Sequence, residues 1–325
     1  MRCKRELMLS ALFVLVMSGV PAAAQFPSKP ITVIVPFAAG GPTDVVTRLL
    51  GDHMSRTLGQ TIIVENVGGV GGTIGMTRAA QAEPDGYTIA VGNTGTQSAA
   101  PALYPNLRYD PAASFAQIGV TNFTPEAIVA KKSTAASTLK QLIDYLKANS
   151  EKLIYGHAGV GSISHVAGLL FNAEFGLKPT LVPYRGTGPA LQALVAEQLD
   201  YMIDQSLNVI PQVKAGTIKA YAVAAPERLA SLSDVPSTVE AGVDFTFRAW
   251  NAMVAPKGTP KEIVGKLADA LSKALDDPNV QERYSELGSS APTPGERGPA
   301  GLQKLVESEV ARITPVIKAA GVTAD

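Results

Sequence analysis

A strand, a glycine turn and a helix follow one another directly near the start of this sequence, and they limit what the chain can fold into. The run Ile31–Val35 is rich in β-branched residues, which predicts a buried strand. The turn over residues 36–44 contains paired glycines that permit a sharp bend, and Thr43 or Asp44 is predicted to cap the next helix. Because a helix N-terminus presents free N–H groups and a positive dipole end, the unit predicts an anion site.

The same unit occurs twice more along the chain. A strand at residues 153–155 leads into the glycine turn 156–162, in which Ser162 is predicted to cap the following helix. A third unit occupies residues 181–189, with Pro189 predicted at the first helical position. One such unit alone is best explained as a tight turn that packs a helix on a sheet. Three of them favour a ligand site built from helix N-termini.

The first 24 residues have the pattern of a secretory signal peptide. A basic start precedes an apolar run over residues 7–20, which is too short to span a membrane, and small residues at 22–24 form a cleavage site. Cleavage after Ala24 leaves Gln25 as the N-terminus and removes Cys3, the single cysteine. We therefore expect a periplasmic protein without disulfides, held together by its core.

Length and charge exclude several classes of partner. The full sequence has 28 basic and 28 acidic side chains, of which three basic and one acidic lie in the first six residues. The mature chain therefore has 25 basic and 27 acidic side chains and a net charge of −2. That charge argues against nucleic acid or an anionic membrane as a partner. No second apolar run approaches spanning length, so we expect a soluble mature protein. Its roughly 300 residues are enough for two domains.

Strands alternate with helices throughout, which predicts an α/β fold with largely parallel sheets. Separate strands are predicted at residues 118–121 and 127–130, and Pro315 is expected to kink the final helix. The loop 68–72 nearly matches a dinucleotide-binding motif, but Ile74 stands at its third glycine position, so we reject such a site. Thr94, Thr96 and Gln97 follow a strand at 88–91, at the edge of the sheet where ligands bind.

Catalytic and metal-binding motifs are weak in this sequence. Ser162 and His165 have the spacing of a nucleophile and its base, but no G-x-S-x-G motif surrounds any serine, and capping is the better explanation of Ser162. Asp44 and Asp204 each end a strand and turn, where a carboxylate can act in catalysis or simply hold the turn. The three histidines show no metal-ligand spacing, so no metal or cofactor is expected.

Three helix N-termini from two lobes are therefore predicted to face one cleft and to bind an organic anion there. A ligand with one acidic end would leave the donors of the opposite lobe unpaired. We thus expect a di- or tricarboxylate, or an acid with a polar far end. Replacement of Gly161 by valine is expected to abolish binding, because the side chain would stand against the ligand.

Several segments resemble the Bug-type, or tripartite tricarboxylate transporter, solute-binding proteins, in the same order from about Phe26 to the C-terminus. These segments are residues 36–44, 64–66, 84–88, 101–104, 182–186 and 240–242. The resemblance implies a periplasmic protein without enzymatic activity, of the type II periplasmic binding protein fold. Each of its two α/β lobes has a central sheet flanked by helices, and the ligand cleft lies between the lobes. We expect lobe 1 to comprise residues 25–124 and 250–325, and lobe 2 to comprise residues 125–249.

The resemblance also implies that a ligand carboxylate is held by the turn 36–44, partly through water, and that turns 158–162 and 186–188 face it. Many relatives have histidine or another residue at the position of Gln97, and serine is common at that of His157, so the particular acid does not carry over. The predicted ligand-binding residues are Phe37, Ala39, Gly40, Gly41, Thr43, Asp44, Thr94, Thr96, Gln97, His157, Ala158, Gly161, Ser162, His165, Gly186, Thr187 and Asp204.

Three functions stay open at this point. The first is a monomeric receptor that delivers an organic acid to the membrane subunits of a transporter. The second is a receptor that presents the acid to a sensor kinase. The third, from a different class, is a periplasmic hydrolase that uses Ser162 and His165.

Overall fold

The computed structural model describes residues 26–319 and 321–323, so the predicted signal peptide and its cleavage site lie outside the described part. Its strands are β1 (Ile31–Val35), β2 (Ile62–Asn66), β3 (Thr88–Asn93), β4 (Phe115–Lys131), β5 (Ile154–His157), β6 (Thr180–Pro183), β7 (Tyr201–Gln205), β8 (Ile218–Val223) and β9 (Arg248–Pro256). Its α-helices are α1 (Pro42–Leu58), α2 (Thr73–Ala80), α3 (Ala100–Leu103), α4 (Leu139–Asn149), α5 (Ile163–Phe175), α6 (Thr187–Val195), α7 (Ser206–Lys214), α8 (Lys261–Asp276), α9 (Pro278–Glu286) and α10 (Gly298–Ala319). Short 3-10 turns and one π-helical turn, Gly95–Ala99, connect them.

The strands form one continuous path in the order β2-β1-β3-β9-β4-β7-β5-β6, with β8 paired to β4. At one end β1 pairs in parallel with β2 and β3, and at the other β5 pairs in parallel with β6 and β7. In the middle, β4 and β9 are antiparallel to every strand they touch. The α/β class is confirmed, and the sheets are parallel toward their ends but antiparallel where they meet.

Strand β4 is a single strand of 17 residues, where the sequence predicted two. Its first part pairs with β9 and its last part with β7 and β8. Polar residues in its middle resemble a break in the hydrophobic pattern. They belong to the strand because the Asn122 side chain donates hydrogen bonds to Thr124 Oγ1 at 2.8 Å and to Ser289 Oγ at 2.9 Å. The strand therefore continues through a buried polar layer.

Helix starts differ from the predictions in two places. Helix α1 begins at Pro42, so Gly41 is its N-cap, and neither Thr43 nor Asp44 caps it. Helix α6 begins at Thr187, two residues before Pro189. Ser162 does cap α5 as predicted, since its Oγ accepts a hydrogen bond from the His165 backbone N–H at 3.3 Å.

Helices cover both faces of the sheet and close two main cores. Residues of α1 and α8, such as Leu50 and Leu267, pack on β1, β3 and β9. Residues of α4 and α5, such as Leu142 and Phe171, pack on β5, β7 and β8. Among the described residues, no helix combines the length and apolar character that a membrane crossing requires. The loops at the carboxyl ends of β1, β3, β5 and β7 are left to form a site.

Candidate ligand-binding cleft

A small buried cavity of about 20 Å³ lies where the carboxyl ends of β1, β3, β5 and β7 meet the N-termini of four helices. This is the edge at which open α/β sheets bind ligands. Seven predicted residues line the cavity: Phe37, Gly41, Thr43, Ala158, Ser162, Thr187 and Asp204. Five others complete the lining and were missed: Pro42, Asn93, Ile163, Ser164 and Gln205. The missed residues adjoin predicted ones along the chain, so position after a strand end was the available signal.

Three of the helices at the cavity, α1, α6 and α7, have no side-chain cap, and two of these begin after a glycine. Gly41 precedes α1 and Gly186 precedes α6, and neither glycine can supply a capping side chain. The two N-termini are adjacent, since a Cβ added to Gly188 would lie 3.5 Å from the Gly41 nitrogen. The first N–H groups of a helix have no partner within the helix. Two uncapped N-termini at one buried cavity therefore form a receptacle for an anion.

The turn before α1 is held by its own hydrogen bonds. The Gly40 N–H donates to Asp44 Oδ2 at 2.9 Å, and Arg48 Nε donates to the same oxygen at 2.9 Å. Asn66 donates to Asp44 Oδ1, also at 2.9 Å. Burial raises the pKa of Asp44, but the Arg48 guanidinium and the Gly40 N–H outweigh it and leave the pKa below its ordinary value. Asp44 thus holds the turn in place through these hydrogen bonds and lies outside the cavity lining.

The two histidines of the second unit hold the glycine turn rather than line the cavity. The Gly159 N–H donates to His157 Nδ1 at 3.2 Å, and the Gly161 N–H donates to His165 Nδ1 at 3.1 Å. The two imidazole rings lie 4.6 Å apart between centroids. Burial lowers the pKa of His157 to about 4 and that of His165 to about 3. Both rings are neutral at neutral pH and accept hydrogen bonds from two N–H groups of the glycine turn.

Thr94, Thr96 and Gln97 lie outside the cavity lining, contrary to expectation for residues that follow a strand end. The Trp250 N–H donates to Thr94 Oγ1 at 2.9 Å, and the Asn93 N–H donates to Thr96 Oγ1 at 2.9 Å. The Gln97 amide is buried without a hydrogen-bond partner among the described residues. Because β3 continues to Asn93 and then turns into a π-helix, the segment presents Asn93 to the cavity instead.

A buried hydrogen-bond network lies under the cavity and joins its walls. Thr43 Oγ1 donates to Asn251 Oδ1 at 3.0 Å, and Asn251 Nδ2 donates to Asn122 Oδ1 at 3.1 Å. The same Asn251 amide lies 3.5 Å from Gln205 Oε1. The network connects α1, β9, β4 and β7, so it fixes the uncapped end of α1 against the two strands at the centre of the sheet.

Two buried carboxyl groups lie beside this network, Asp204 in the cavity lining and Glu126 behind it. Asp204 accepts hydrogen bonds from the Gln205 N–H at 2.8 Å, from the Asn208 side chain and from Thr187. Burial raises the pKa of Asp204 to about 7. Glu126, which no sequence motif singled out, is fully buried, and neither carboxyl oxygen has a partner among the described residues. Burial first, and the nearby Asp204 second, raise the pKa of Glu126 well above its ordinary value.

The two walls of the cleft touch each other directly. The Ala38 N–H donates to the Arg185 carbonyl at 2.9 Å, and the Tyr104 hydroxyl donates to the Val160 carbonyl at 2.5 Å. A Cβ added to Gly95 would lie 2.5 Å from the Gly161 carbonyl oxygen, closer than real contacts allow. The segments before β4 and those between β4 and β9 therefore meet in a closed arrangement.

Ser162 and His165 do not form a nucleophile and base. The Ser162 hydroxyl contacts the His165 backbone N–H and lies 3.3 Å from Ser164 Oγ, while His165 Nδ1 accepts from Gly161. A nucleophile needs a hydrogen bond to its base, and among the described contacts this serine makes none to an imidazole. The observed geometry is that of a helix cap.

We expect Ser162→Ala to lower the free energy of unfolding by about 1 kcal/mol, because the α5 N-terminus loses its cap. Urea denaturation measures this loss. Thr138→Ala is the matched control, since Thr138 caps α4 through the Gln141 N–H at 3.2 Å, far from the cavity, and should cost a similar amount. An ester-hydrolysis activity that disappears in Ser162→Ala but not in Thr138→Ala would contradict the capping role.

A mixed sheet with parallel ends and a cleft at its strand ends is the architecture found in two-lobed solute-binding proteins. A family model described as tripartite tricarboxylate transporter family receptor matches residues 46–322. The chain belongs to this family, which confirms the resemblance predicted from the sequence.

Solved structures agree with this assignment. MatC from Rhodopseudomonas palustris with bound malate is 45% identical, with a TM-score of 0.87, and the match covers 90% of this chain and 100% of MatC. The periplasmic binding protein BugD is 41% identical, with a TM-score of 0.89 and coverages of 92% and 100%. R. palustris Rpa4515 with adipate is 32% identical, with a TM-score of 0.87 and coverages of 92% and 99%.

Proposed function

We propose that this protein captures a carboxylated organic acid in the cavity and delivers it to the membrane subunits of a tripartite tricarboxylate-type transporter. The uncapped N-termini of α1 and α6 at one buried cavity carry the proposal. Backbone N–H groups and helix dipoles neutralise a carboxylate there without a cationic side chain. The family membership and the periplasmic relatives support a transport role in the periplasm, after cleavage following Ala24. In this proposal the protein acts as a monomeric receptor and not as an enzyme.

Capture requires two lobes that close on the ligand. The proposed lobe 1 comprises residues 25–124 and 250–325, and lobe 2 comprises residues 125–249, so that β4 and β9 connect them. The cavity of about 20 Å³ has room for little more than one water molecule, so an organic acid enters only when the walls separate. Hinge closure around the bound acid is the motion this arrangement supports.

The proposed contacts to the acid come from the cavity lining. The N–H groups of Gly41 and Thr43 at α1 and of Thr187 at α6 hold a carboxylate, and Phe37 and Ser162 pack beside it. The other predicted residues support these contacts by holding the turns: Ala39, Gly40, Asp44, His157, Gly161, His165 and Gly186. MatC and Rpa4515 were solved with malate and adipate, which are both dicarboxylates, and we propose a ligand of the same chemical class.

Calorimetry with malate, succinate and adipate tests the proposal, and the single Trp250 in β9 provides a fluorescence readout. We expect at least one diacid to bind and its monomethyl ester to bind on the order of 10-fold to 100-fold more weakly. An ester leaves buried donors poorly paired, which costs about 1–3 kcal/mol. Equal affinity for a diacid and its half-ester would contradict a clamp with two acidic ends. A lack of binding by every acid would contradict the proposed function.

Gly41→Val is the matched negative control for that screen. Gly41 has φ −81° and ψ 172°, which any residue adopts, and a Cβ there meets no atom closer than 3.6 Å. The valine therefore fills the cavity without backbone strain, and binding should be lost while thermal unfolding stays cooperative. Gly161→Val, the variant that the sequence suggested, does not isolate the ligand contact. Gly161 has φ +80°, and its Cβ would lie 3.0 Å from the Tyr104 ring.

A further inference from the structure

We propose that the receptor binds its organic acid together with a proton, which Asp204 takes up in the floor of the cleft while Glu126 nearby stays protonated. This inference rests on the proposed function, because it concerns what happens when an acid enters the same cavity. It names a second species, a proton, that the site binds with its ligand.

Asp204 is the group closest to an incoming acid. It lines the cavity and is 1% exposed. It also accepts a hydrogen bond from the side chain of Thr187, the first residue of α6. A carboxylate held by the N-terminus of α6 therefore stands next to the Asp204 carboxyl. No lysine or arginine within the described residues forms an ion pair with Asp204, so no side-chain cation offsets a second negative charge.

Glu126 lies behind the cavity lining, close to Asp204, and is itself too deeply buried to carry a charge. In the register of β4 and β7, Glu126 stands opposite Gln205 while Ala127 stands opposite Asp204, so the two carboxyls leave neighbouring strands on opposite faces. Glu126 is fully buried, and both of its oxygens lack a partner among the described residues. A buried carboxylate without partners is far more costly than the neutral acid. Glu126 therefore keeps its proton, and above pH 7 the Asp204 carboxylate carries the charge of this pair.

Binding of a carboxylate then places two like charges side by side in a desolvated space. Such a pair repels strongly, because the interior screens charge poorly. A proton on Asp204 removes the repulsion, and it costs little because burial has already raised the pKa of Asp204 to about 7. The O–H that forms on Asp204 can donate a hydrogen bond to the bound carboxylate, in place of repulsion between two anions.

The neighbouring titratable groups do not change charge between pH 6 and pH 8.5. Helices α6 and α7 present only the neutral Thr187 and Asn208 to Asp204. Burial keeps the pKa of the two imidazoles at about 4 and about 3, and raises that of the Tyr155 phenol well above its ordinary value. The charged groups on the surrounding elements are already engaged: Asp44 is paired with Arg48, and the Arg248 guanidinium of β9 lies 3.6 Å from the Phe123 ring centroid.

Proton uptake is measured directly by calorimetry with malate and adipate in two buffers of different ionisation enthalpy, such as phosphate and Tris. We expect uptake of about one proton per acid bound at pH 8.5, and close to none at pH 6, where Asp204 is already protonated. Linkage then requires the affinity to fall by about tenfold per pH unit once the pH is well above 7. The wild-type protein is sufficient for this test, so it does not depend on whether a variant folds.

Three variants locate the proton. Asp204→Asn should bind acids without proton uptake and with an affinity that does not change between pH 7 and pH 8.5. Glu126→Gln should keep the uptake, because it replaces an acid that is already neutral. Asp144→Asn, on the exposed face of α4, should match the wild type in every respect. Uptake that persists in Asp204→Asn, or disappears in Glu126→Gln, would overturn the assignment.

The two proposals fail in different ways. If malate or adipate binds the wild-type protein with no proton uptake at pH 8.5, the proton inference is wrong and the receptor function stands. If none of the diacids binds at any pH, the proposed function itself is wrong.

Discussion

Gly95→Ala should keep the cleft from closing and weaken acid binding by roughly 100-fold. The reason is that the apparent affinity falls in proportion to the fraction of protein in the closed, binding-competent state. Gly95 lies before β4 and packs on the glycine turn that precedes α5. A Cβ at this position would lie 2.5 Å from the Gly161 carbonyl oxygen and 3.0 Å from the Ile163 nitrogen, and both are backbone atoms that cannot move aside. The backbone of Gly95 carries no positive φ, so alanine adds no local strain.

Small-angle scattering and calorimetry measure this effect together. We expect the Gly95→Ala protein to keep a larger radius of gyration than the wild type in the presence of a saturating diacid. Gly265→Ala is the control, since a Cβ at Gly265 in α8 meets no atom within 4 Å, and its binding should be unchanged. A Gly95→Ala protein that binds and compacts like the wild type would show that closure does not require this contact.

Acidification should destabilise the protein through the two buried histidines. Their folded pKa values of about 4 and about 3 lie below the unfolded value near 6.5, so the unfolded chain binds more protons between these limits. Stability is therefore present above pH 6.5 and is lost as the pH falls toward 4. The loss is at most about 1.4 kcal/mol per pH unit for each histidine. Protonation also removes the Nδ1 acceptors that hold Gly159 and Gly161.

The comparison must be made with a variant, because the buried carboxyls act in the opposite direction. The raised pKa values of Asp204 and Glu126 favour the folded state at low pH, and this contribution is lost as the pH rises. The variant His157→Asn/His165→Asn keeps an oxygen acceptor in each position but takes up no proton. Between pH 6.5 and 4.5 the wild type should lose on the order of 2–5 kcal/mol more unfolding free energy than this variant. Parallel pH profiles in urea denaturation would contradict the assignment.

The strand and helix pattern predicted most of the fold because local periodicity determines most of it. The run Ile31–Val35 was predicted with its observed bounds, and helix α5 was predicted to begin after Ser162, as it does. The long strand β4 was not, because its central polar residues are satisfied by partners distant in the chain, such as Ser289. The local sequence pattern carries no information about a hydrogen-bond partner that is distant in the chain. The antiparallel centre of the sheet was missed for the same reason.

The sequence indicated where the cavity lies, and the roles of its residues stay predictions. Position after a strand identified seven of the cavity residues, since topology brings strand ends together. His157, His165 and Asp44 stay predictions as ligand contacts; in the structure each accepts a hydrogen bond from a backbone N–H of its own turn and lies outside the cavity lining. Glu126 carried no signal, since a carboxyl group in a strand is ordinarily exposed. Hydrogen-bond partners and burial place these four side chains, and neither can be read directly from a sequence.

The two connections between the proposed lobes are neighbouring strands, and this has a mechanical consequence. β4 and β9 are hydrogen-bonded to each other up to the pair Pro125 and Arg248, so neither connection can swivel independently as a loop does. A two-stranded ribbon resists bending in its own plane but twists readily. The register of β4 against β9 slips twice, between Gln117 and Gly119 and between Val120 and Asn122, and such irregularities increase local twist. We therefore expect the mouth to open by a torsion of this ribbon, with both connections turning together.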